Sequence, residues 1–363
     1  MSEKIWAIIG GGNGGQTFAG HLAILGKKVR LYTSTPSKAE KISETNIIEL
    51  TGSIEGKGKL EFATSDISKA VKGADVIVIV LPSNWHKSIS EKIIPLLEDG
   101  QTVLILPEAS CGALAFKKLM NDMGCTAKIV LGAGCSLPYA TRAVADGVCN
   151  VPGVKEEVKI AALPATDNVK LEKTVCNDFP CFRICSSVLE TSIDNINAMM
   201  HPAPVLLNIS RIEAEPKQSY EYYREGITPS IGKLLEGMDA ERMAVASSLG
   251  FEQRSLKRTY IDMYKCGDDS MELWQLIQNN KGYTGIMNVK SLEERYVTED
   301  IPYSLVAISA LGKVAGVPTS TIDAVITLGR AILLNKLDEG RTIEALGIAS
   351  MTKEEFLNYV LGE

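Results

Sequence analysis

Four clusters of residues in this 363-residue chain have types and spacings suited to chemistry. The first is Gly10-x-Gly12-x-x-Gly15, with Asn13 inside it, directly after an apolar run and directly before a helical one. Each glycine there has a physical task. Gly10 permits a tight turn, Gly12 lets a phosphate approach the backbone, and Gly15 lets helix and strand pack closely. Free N–H groups and the positive end of the helix dipole then face an anion, which makes the segment a candidate cradle for a dinucleotide pyrophosphate. The second cluster is Asn197-Ala198-Met199-Met200-His201-Pro202-Ala203-Pro204. Pro202 disfavours helical geometry at His201, so a helix should end or kink there and present the imidazole at its end. Imidazoles titrate near neutrality and can act as acid or base, although a packed or surface histidine is the simpler reading of the sequence alone. The third is Arg295-Tyr296-Val297-Thr298-Glu299-Asp300-Ile301-Pro302, where the two acids could simply cap a helix that has Pro302 in its first turn. The fourth is Leu137–Arg142, expected after the sixth strand at the carboxyl edge of a sheet, where ligands bind; Tyr139 and Arg142 are its candidate contacts.

The adenosine end of a dinucleotide would meet the end of the second strand. An acid there would bind a free ribose 2′-hydroxyl, but Tyr32, Thr33, Ser34 and Thr35 supply none. Thr33 and Ser34 do not repel a 2′-phosphate, and Lys38 could reach one. The cofactor expected is therefore NADP or NAD, with a lean towards NADP. Pro82 and His86 follow the fourth strand at the same edge and are further candidates for cofactor contact, whereas His21 on the first helix reads as structural.

These residues need elements to hold them. Strands are expected at Lys4–Ile9, Lys28–Thr33, Asp75–Leu81, Gln101–Leu106 and Lys128–Leu131, with helices at Gln16–Leu25, Ser37–Ser43, Trp85–Leu97 and Gly112–Met123 between them. Ile47–Phe62, broken by glycines, reads as a hairpin, and Ile67–Lys72 as a short helix. Alternating strands and helices mean a parallel sheet covered on both faces, an α/β doubly wound Rossmann domain. Lys159–Leu163 is a possible last strand. Beyond it the apolar spacing is helical at Val188–Met200, Ile231–Leu249, Ser270–Asn279, Pro302–Ala315 and Ser320–Asn335. The expected division is residues 1–186 for dinucleotide binding and 187–363 for an all-helical substrate and catalytic domain.

Composition narrows the possibilities. A 45% apolar fraction with 23% charged residues fits a globular protein with a full core. The net charge of −6 offers nothing to neutralise phosphates along a nucleic acid. The run from Met1 to Lys4 leads straight into a strand with no leader pattern, and no apolar stretch has the length of a membrane span. A soluble, cytoplasmic protein is expected. The eight cysteines form no CxxC pair, and with three histidines in the chain no metal site is expected; reduced thiols are the simplest reading.

With these residues in view, the chain resembles the opine dehydrogenase family, the relatives of octopine and nopaline dehydrogenases. The likeness runs from the glycine turn through Ala74–Leu81 with Pro82 and His86. It continues through Leu137–Arg142 to His201-Pro202 with Leu206-Leu207-Asn208, and to Arg295-Tyr296 and Glu299-Asp300-Ile301-Pro302. The resemblance implies reductive condensation of a 2-oxo acid, pyruvate-like, with the amine of an amino acid, the imine being reduced by hydride from a nicotinamide. It maps the catalytic histidine onto His201, its orienting carboxylate onto Asp300, and an arginine for the oxo-acid carboxylate onto Arg295. The chain also departs from the family. Where many members carry a glutamate it has Gly132-Ala133-Gly134-Cys135, and Pro107 is followed by Glu108 rather than glycine. Loss of the first carboxylate removes a partner for a cationic amine, so a neutral amino acid is expected. The alternatives are a ketopantoate or 2-hydroxy-acid reductase that needs no amine, and a non-catalytic NADP-binding sensor. A homodimer is plausible from the apolar helices of the second half.

Overall fold

The structure, a computed structural model, describes residues 4–363; Met1–Glu3, read above as part of a run into the first strand, lie outside the described residues. Short runs of Val, Ile and Leu form strands buried on both faces, as parallel sheets require. In chain order the elements are β1 (Ile5–Ile9), α1 (Asn13–Ile24), β2 (Lys28–Tyr32), α2 (Pro36–Ser43), β3 (Ile47–Gly52), β4 (Gly56–Lys59) and β5 (Phe62–Thr64). There follow α3 (Ile67–Val71), β6 (Val76–Ile79), α4 (His86–Ile93), β7 (Thr102–Ile105), α5 (Gly112–Asp122) and β8 (Val130–Gly134). Then come β9 (Tyr139–Ala145), β10 (Val148–Val154), β11 (Val158–Leu163), α6 (Asn168–Leu171), β12 (Phe182–Ile184) and α7 (Val188–Ile193).

An eight-stranded sheet has the order β12-β11-β8-β7-β6-β1-β2-β5. Its pairings are parallel except β11 with β8, which run antiparallel. This is the Rossmann arrangement expected. A second sheet, β4-β3-β10-β9, was only half foreseen. Its β3–β4 hairpin was expected, but β9 and β10 occupy a stretch given no strands. The reason is that β9 is exposed along most of its length and so lacks the continuous apolar signal of the large sheet.

The second half is helical: α8 (Asn197–Met200), α9 (Pro202–Leu207), α10 (Ile209–Glu213), α11 (Tyr222–Glu225), α12 (Pro229–Ser248), α13 (Leu256–Asp262), α14 (Leu273–Asn279) and α15 (Arg295–Thr298). A π-helical turn at Ile301–Leu305 runs into α16 (Val306–Ala315), followed by α17 (Ser320–Leu333) and α18 (Lys353–Leu361). Their core gathers Met199, Tyr222, Leu235, Met238, Leu276 and Ile308. The continuous helix expected over Val188–Met200 does not exist. It breaks after Ile193, where Asn195 spends its side chain on the Asn197 N–H (3.2 Å) and the Ser304 hydroxyl (2.9 Å).

The chain divides into two compact units, residues 4–108, 112–192 and 358–363 in the first, and 109–111 and 193–357 in the second. The main crossing thus falls six residues beyond the expected 186/187 boundary. The reason is local: Thr191 and Ser192 on α7 donate to the buried Glu108 carboxylate (2.5 and 3.2 Å), which keeps that helix with the first unit. Among the described residues no helix is long and apolar enough to cross a membrane.

Candidate active site

The glycine turn between β1 and α1 has the expected strand–turn–helix setting. Gly10 has φ +140°, open to glycine and strained for other residues. A Cβ at Gly15 would collide with the Gly10 carbonyl oxygen, so close packing of helix on turn requires glycine there. At Gly12 a Cβ would meet no atom within 4 Å, which leaves space for a phosphate against the backbone. The start of α1 carries neither an acidic residue in its first turn nor a side-chain cap, so its N–H groups and dipole suit an anion. These features fit a dinucleotide pyrophosphate.

The neighbouring candidates gather at this turn. Thr33 is buried against Gly11, and Lys38 Nζ donates to the Gly11 carbonyl (3.2 Å) while lying 3.5 Å from Asp146. Ser34 is exposed beside Thr33. Asn13 is exposed, and its Oδ1 accepts from the Ala143 N–H (3.0 Å), which ties the start of α1 to β9. Gln16, not singled out from sequence, donates to the same Gly11 carbonyl (2.9 Å). The loop after β6 adjoins the turn, because a Cβ at Gly10 would strike the Val80 carbonyl. Pro82 precedes the short turn Ser83–Trp85 within that loop, and the buried His86 closes it through a ring nitrogen 3.0 Å from the Leu81 carbonyl.

In the second unit, α8 ends at Met200 and α9 begins at Pro202, so His201 stands between two helices as its sequence indicates. Its Nδ1 lies 2.7 Å from Asp300 Oδ2, with only 7% and 9% of the two side chains exposed. Asp300 makes no side-chain cap for the turn that follows it, so the simple capping reading fails. The Tyr223 hydroxyl lies 3.0 Å from His201 Nε2. Tyr296 stacks face to face on the imidazole at 3.9 Å and 3°. Tyr222 bonds the His201 carbonyl through its hydroxyl (2.6 Å). Burial holds the Tyr222 and Tyr223 phenols well above the usual tyrosine range, so both stay protonated. Sequence reasoning gave these three tyrosines no role. Tyr296 stood in a quoted motif, and the run Tyr220-Glu221-Tyr222-Tyr223 was the signal available for the others.

Arg295 is exposed on α15, one residue before the ring that covers His201, with its Nε 3.4 Å from Glu299. Two candidates sit where they were not expected. Tyr139 is turned into the first unit's core, its hydroxyl 2.9 Å from His21 Nδ1 and its ring edge-on to Phe18 and Phe179. Arg142 is exposed on β9 and paired in register with Asn150. The cause is common to both: after β8 the chain joins the second sheet, so Tyr139 and Arg142 lie on β9 rather than in a loop, while Leu137 just before them packs against Gly14 of the glycine turn. The eight cysteines are all free thiols, and burial pushes Cys176 and Cys181 up to about 11.

Comparison with known proteins bears on the family and the fold. Residues 184–333 match the family described as NAD/NADP octopine/nopaline dehydrogenase, alpha-helical domain, and residues 5–113 match the NAD-dependent glycerol-3-phosphate dehydrogenase N-terminus. The opine dehydrogenase of Arthrobacter sp. (strain 1C) is 35% identical over 354 residues, covering 97% of each chain. The octopine dehydrogenase of Mizuhopecten yessoensis is 24% identical, covering 94% of each. In fold, the chain is similar to octopine dehydrogenase solved with NADH and L-arginine (TM-score 0.82, 20% identity, 100% and 98% of the two chains). It is similar also to yersinopine dehydrogenase with NADP+ bound (TM-score 0.71, 14% identity, 99% and 98%). The chain belongs to the opine dehydrogenase family and is an NAD(P)-dependent oxidoreductase acting on CH–NH bonds.

Proposed function

We propose that this enzyme condenses a 2-oxo acid, pyruvate-like, with the amine of a neutral amino acid and reduces the resulting imine, using His201 as acid–base group, Asp300 as its orienting partner and Arg295 as the clamp on the oxo-acid carboxylate. The observation that carries the reading is the buried His201–Asp300 pair at 2.7 Å. A carboxylate on Nδ1 fixes that nitrogen as the protonated one and leaves Nε2 to exchange a proton with the reacting group when the carbonyl oxygen leaves as water. The planar guanidinium of Arg295 can take a carboxylate through two parallel hydrogen bonds and so hold the reacting carbon in place. When bound, the nicotinamide supplies the hydride.

The neutral amine follows from β8. Gly132-Ala133-Gly134 offers no carboxylate to a cationic side chain, and the nearby Glu108 is buried and occupied by Thr191, Ser192 and the Ala113 N–H. For the cofactor, an uncharged Thr33 and Ser34 with Lys38 beside the turn favour NADPH over NADH, with Asp146 as the opposing charge near Lys38. The test is oxidation of NADPH and NADH with pyruvate, with and without a panel of neutral, acidic and basic amino acids. Oxidation that needs both the oxo acid and an amine supports the reading. Oxidation with an oxo acid alone moves the enzyme to the hydroxy-acid reductases.

A further inference from the structure

Resting on the role proposed for His201, we propose that the Tyr223 hydroxyl carries the proton between His201 Nε2 and the substrate, making Tyr223 a second catalytic residue of the reaction.

The starting point is what surrounds the imidazole. One nitrogen is held by Asp300 at 2.7 Å, and the other faces the Tyr223 hydroxyl at 3.0 Å. A separation of 3.0 Å is a direct hydrogen bond with no space for a substrate atom between the partners. A substrate must therefore displace Tyr223 or be served through it. Displacement is opposed from several directions. The Tyr223 ring lies flat on Tyr283 at 3.8 Å and 14°, and Tyr222 meets it edge-on at 4.8 Å and 89°. Tyr283 is itself tied through its hydroxyl to that of Tyr260 at 2.7 Å. His201 cannot turn to offer Nε2 elsewhere either, because Tyr296 covers its face and Asp300 fixes Nδ1. Tyr223 is 6% exposed and His201 5%, so water does not reach this hydrogen bond freely.

The proton balance is simple. The Tyr223 O–H proton passes to the substrate oxygen twice, first as carbonyl and then as departing hydroxyl, and between the two the proton shed by the attacking amine nitrogen returns through the Tyr223 oxygen to Nε2, so that the net transfer is one proton. The Nε2 proton of the imidazolium passes to the Tyr223 oxygen in the same motion. The imidazolium becomes neutral imidazole, the phenol ends as a phenol, the substrate gains one proton, and no electrons move. A phenol suits the task because it both donates and accepts. The groups facing Tyr223 are His201, Tyr296, Tyr283, Tyr222 and Asp300, and burial with these neighbours keeps the phenol protonated well above the usual tyrosine range. It thus shuttles the proton of His201 without losing its own.

The test is Tyr223→Phe, which keeps the ring and its stacking and removes one oxygen. Wild-type turnover with an oxo acid and an amine is measured first; if no such pair is turned over, the proposed function fails and this inference with it. With wild-type turnover in hand, kcat of Tyr223→Phe should fall about 100-fold or more, the usual worth of a general acid, while KM for both substrates stays within about threefold. The wild-type pH dependence of kcat and its solvent deuterium effect should both be lost. Unchanged kcat would overturn the inference. So would a reduced kcat that keeps the wild-type pH profile and isotope effect, because Tyr223 would then only position His201. Should Tyr223→Phe not fold, 3,5-difluorotyrosine at position 223 retains the ring with a more acidic phenol. The pH–rate curve should then move, and a curve that stays in place would contradict the relay.

Discussion

At the scale of single residues, the proposed chemistry rests on contacts between side chains far apart in sequence. His201 and Asp300 are 99 positions apart and meet at 2.7 Å in a buried setting. Such a pair acts as a unit, and removing either member should cost much of what removing both costs. His201→Ala is expected to lower kcat by on the order of 10³-fold or more, with Asp300→Asn close behind and the double variant little worse than His201→Ala. Cofactor affinity, followed by fluorescence quenching, should stay nearly unchanged in all three. Additive losses, or retained turnover in His201→Ala, would remove the pair from the mechanism. Pro202 placed His201 at a helix boundary, as the structure shows, but it was the family likeness that singled out both His201 and Asp300 for chemistry. The tyrosines on His201 were not legible, since nothing in the spacing of Tyr222, Tyr223 and Tyr296 says that their rings converge on one imidazole. The place of Tyr139 was hidden for the same kind of reason: its partners, His21 and Phe179, are set by packing that local pattern does not encode.

At the scale of elements, the glycine turn is the segment where local sequence and tertiary role agree most closely. The strand, turn and helix of β1–α1 were readable because each glycine answers a specific steric demand. Gly15→Ala puts a methyl against the Gly10 carbonyl, where backbone cannot yield cheaply. The expected result is a loss of about 1–3 kcal/mol of stability, the usual size of overpacking, together with at least tenfold weaker cofactor binding. Thermal melts with and without NADPH check both, and a variant with wild-type melting and affinity would show that the turn is not packed as described. The second sheet was harder to read. Strands β9 and β10 alternate in exposure, but the small residues Ala140, Ala143, Ala145 and Gly153 give that alternation little contrast in sequence, so the pairing of β10 with β3 and of β9 with β10 depends on the rest of the fold. The break after α7 was hidden as well, because Asn195 acts on Ser304, a residue 109 positions away.

At the scale of the whole molecule, the chain forms two units: the first holds the glycine turn, and the second holds the His201–Asp300 pair. The division itself was legible from the change of periodicity beyond residue 150. Its exact place was not, since Glu108 recruits the first residues of α7 by hydrogen bonds that leave no trace in local composition. Substrate preference belongs to this scale too. With no carboxylate in Gly132–Cys135, alanine, norvaline and methionine should be turned over faster than arginine by about tenfold or more, the worth of one lost charge-assisted hydrogen bond. Equal or better kcat/KM with arginine would contradict the neutral-amine assignment. The most direct test of the proposed reaction is the mass of its product. The enzyme is incubated with NADPH, pyruvate and a neutral amino acid, and the mixture is analysed by mass spectrometry. A secondary amine with the mass of the two substrates less one water plus two hydrogens is the expected product, its nitrogen carrying label from a 15N amino acid. Lactate as the sole reduced product, with the amino acid recovered intact, would contradict reductive condensation.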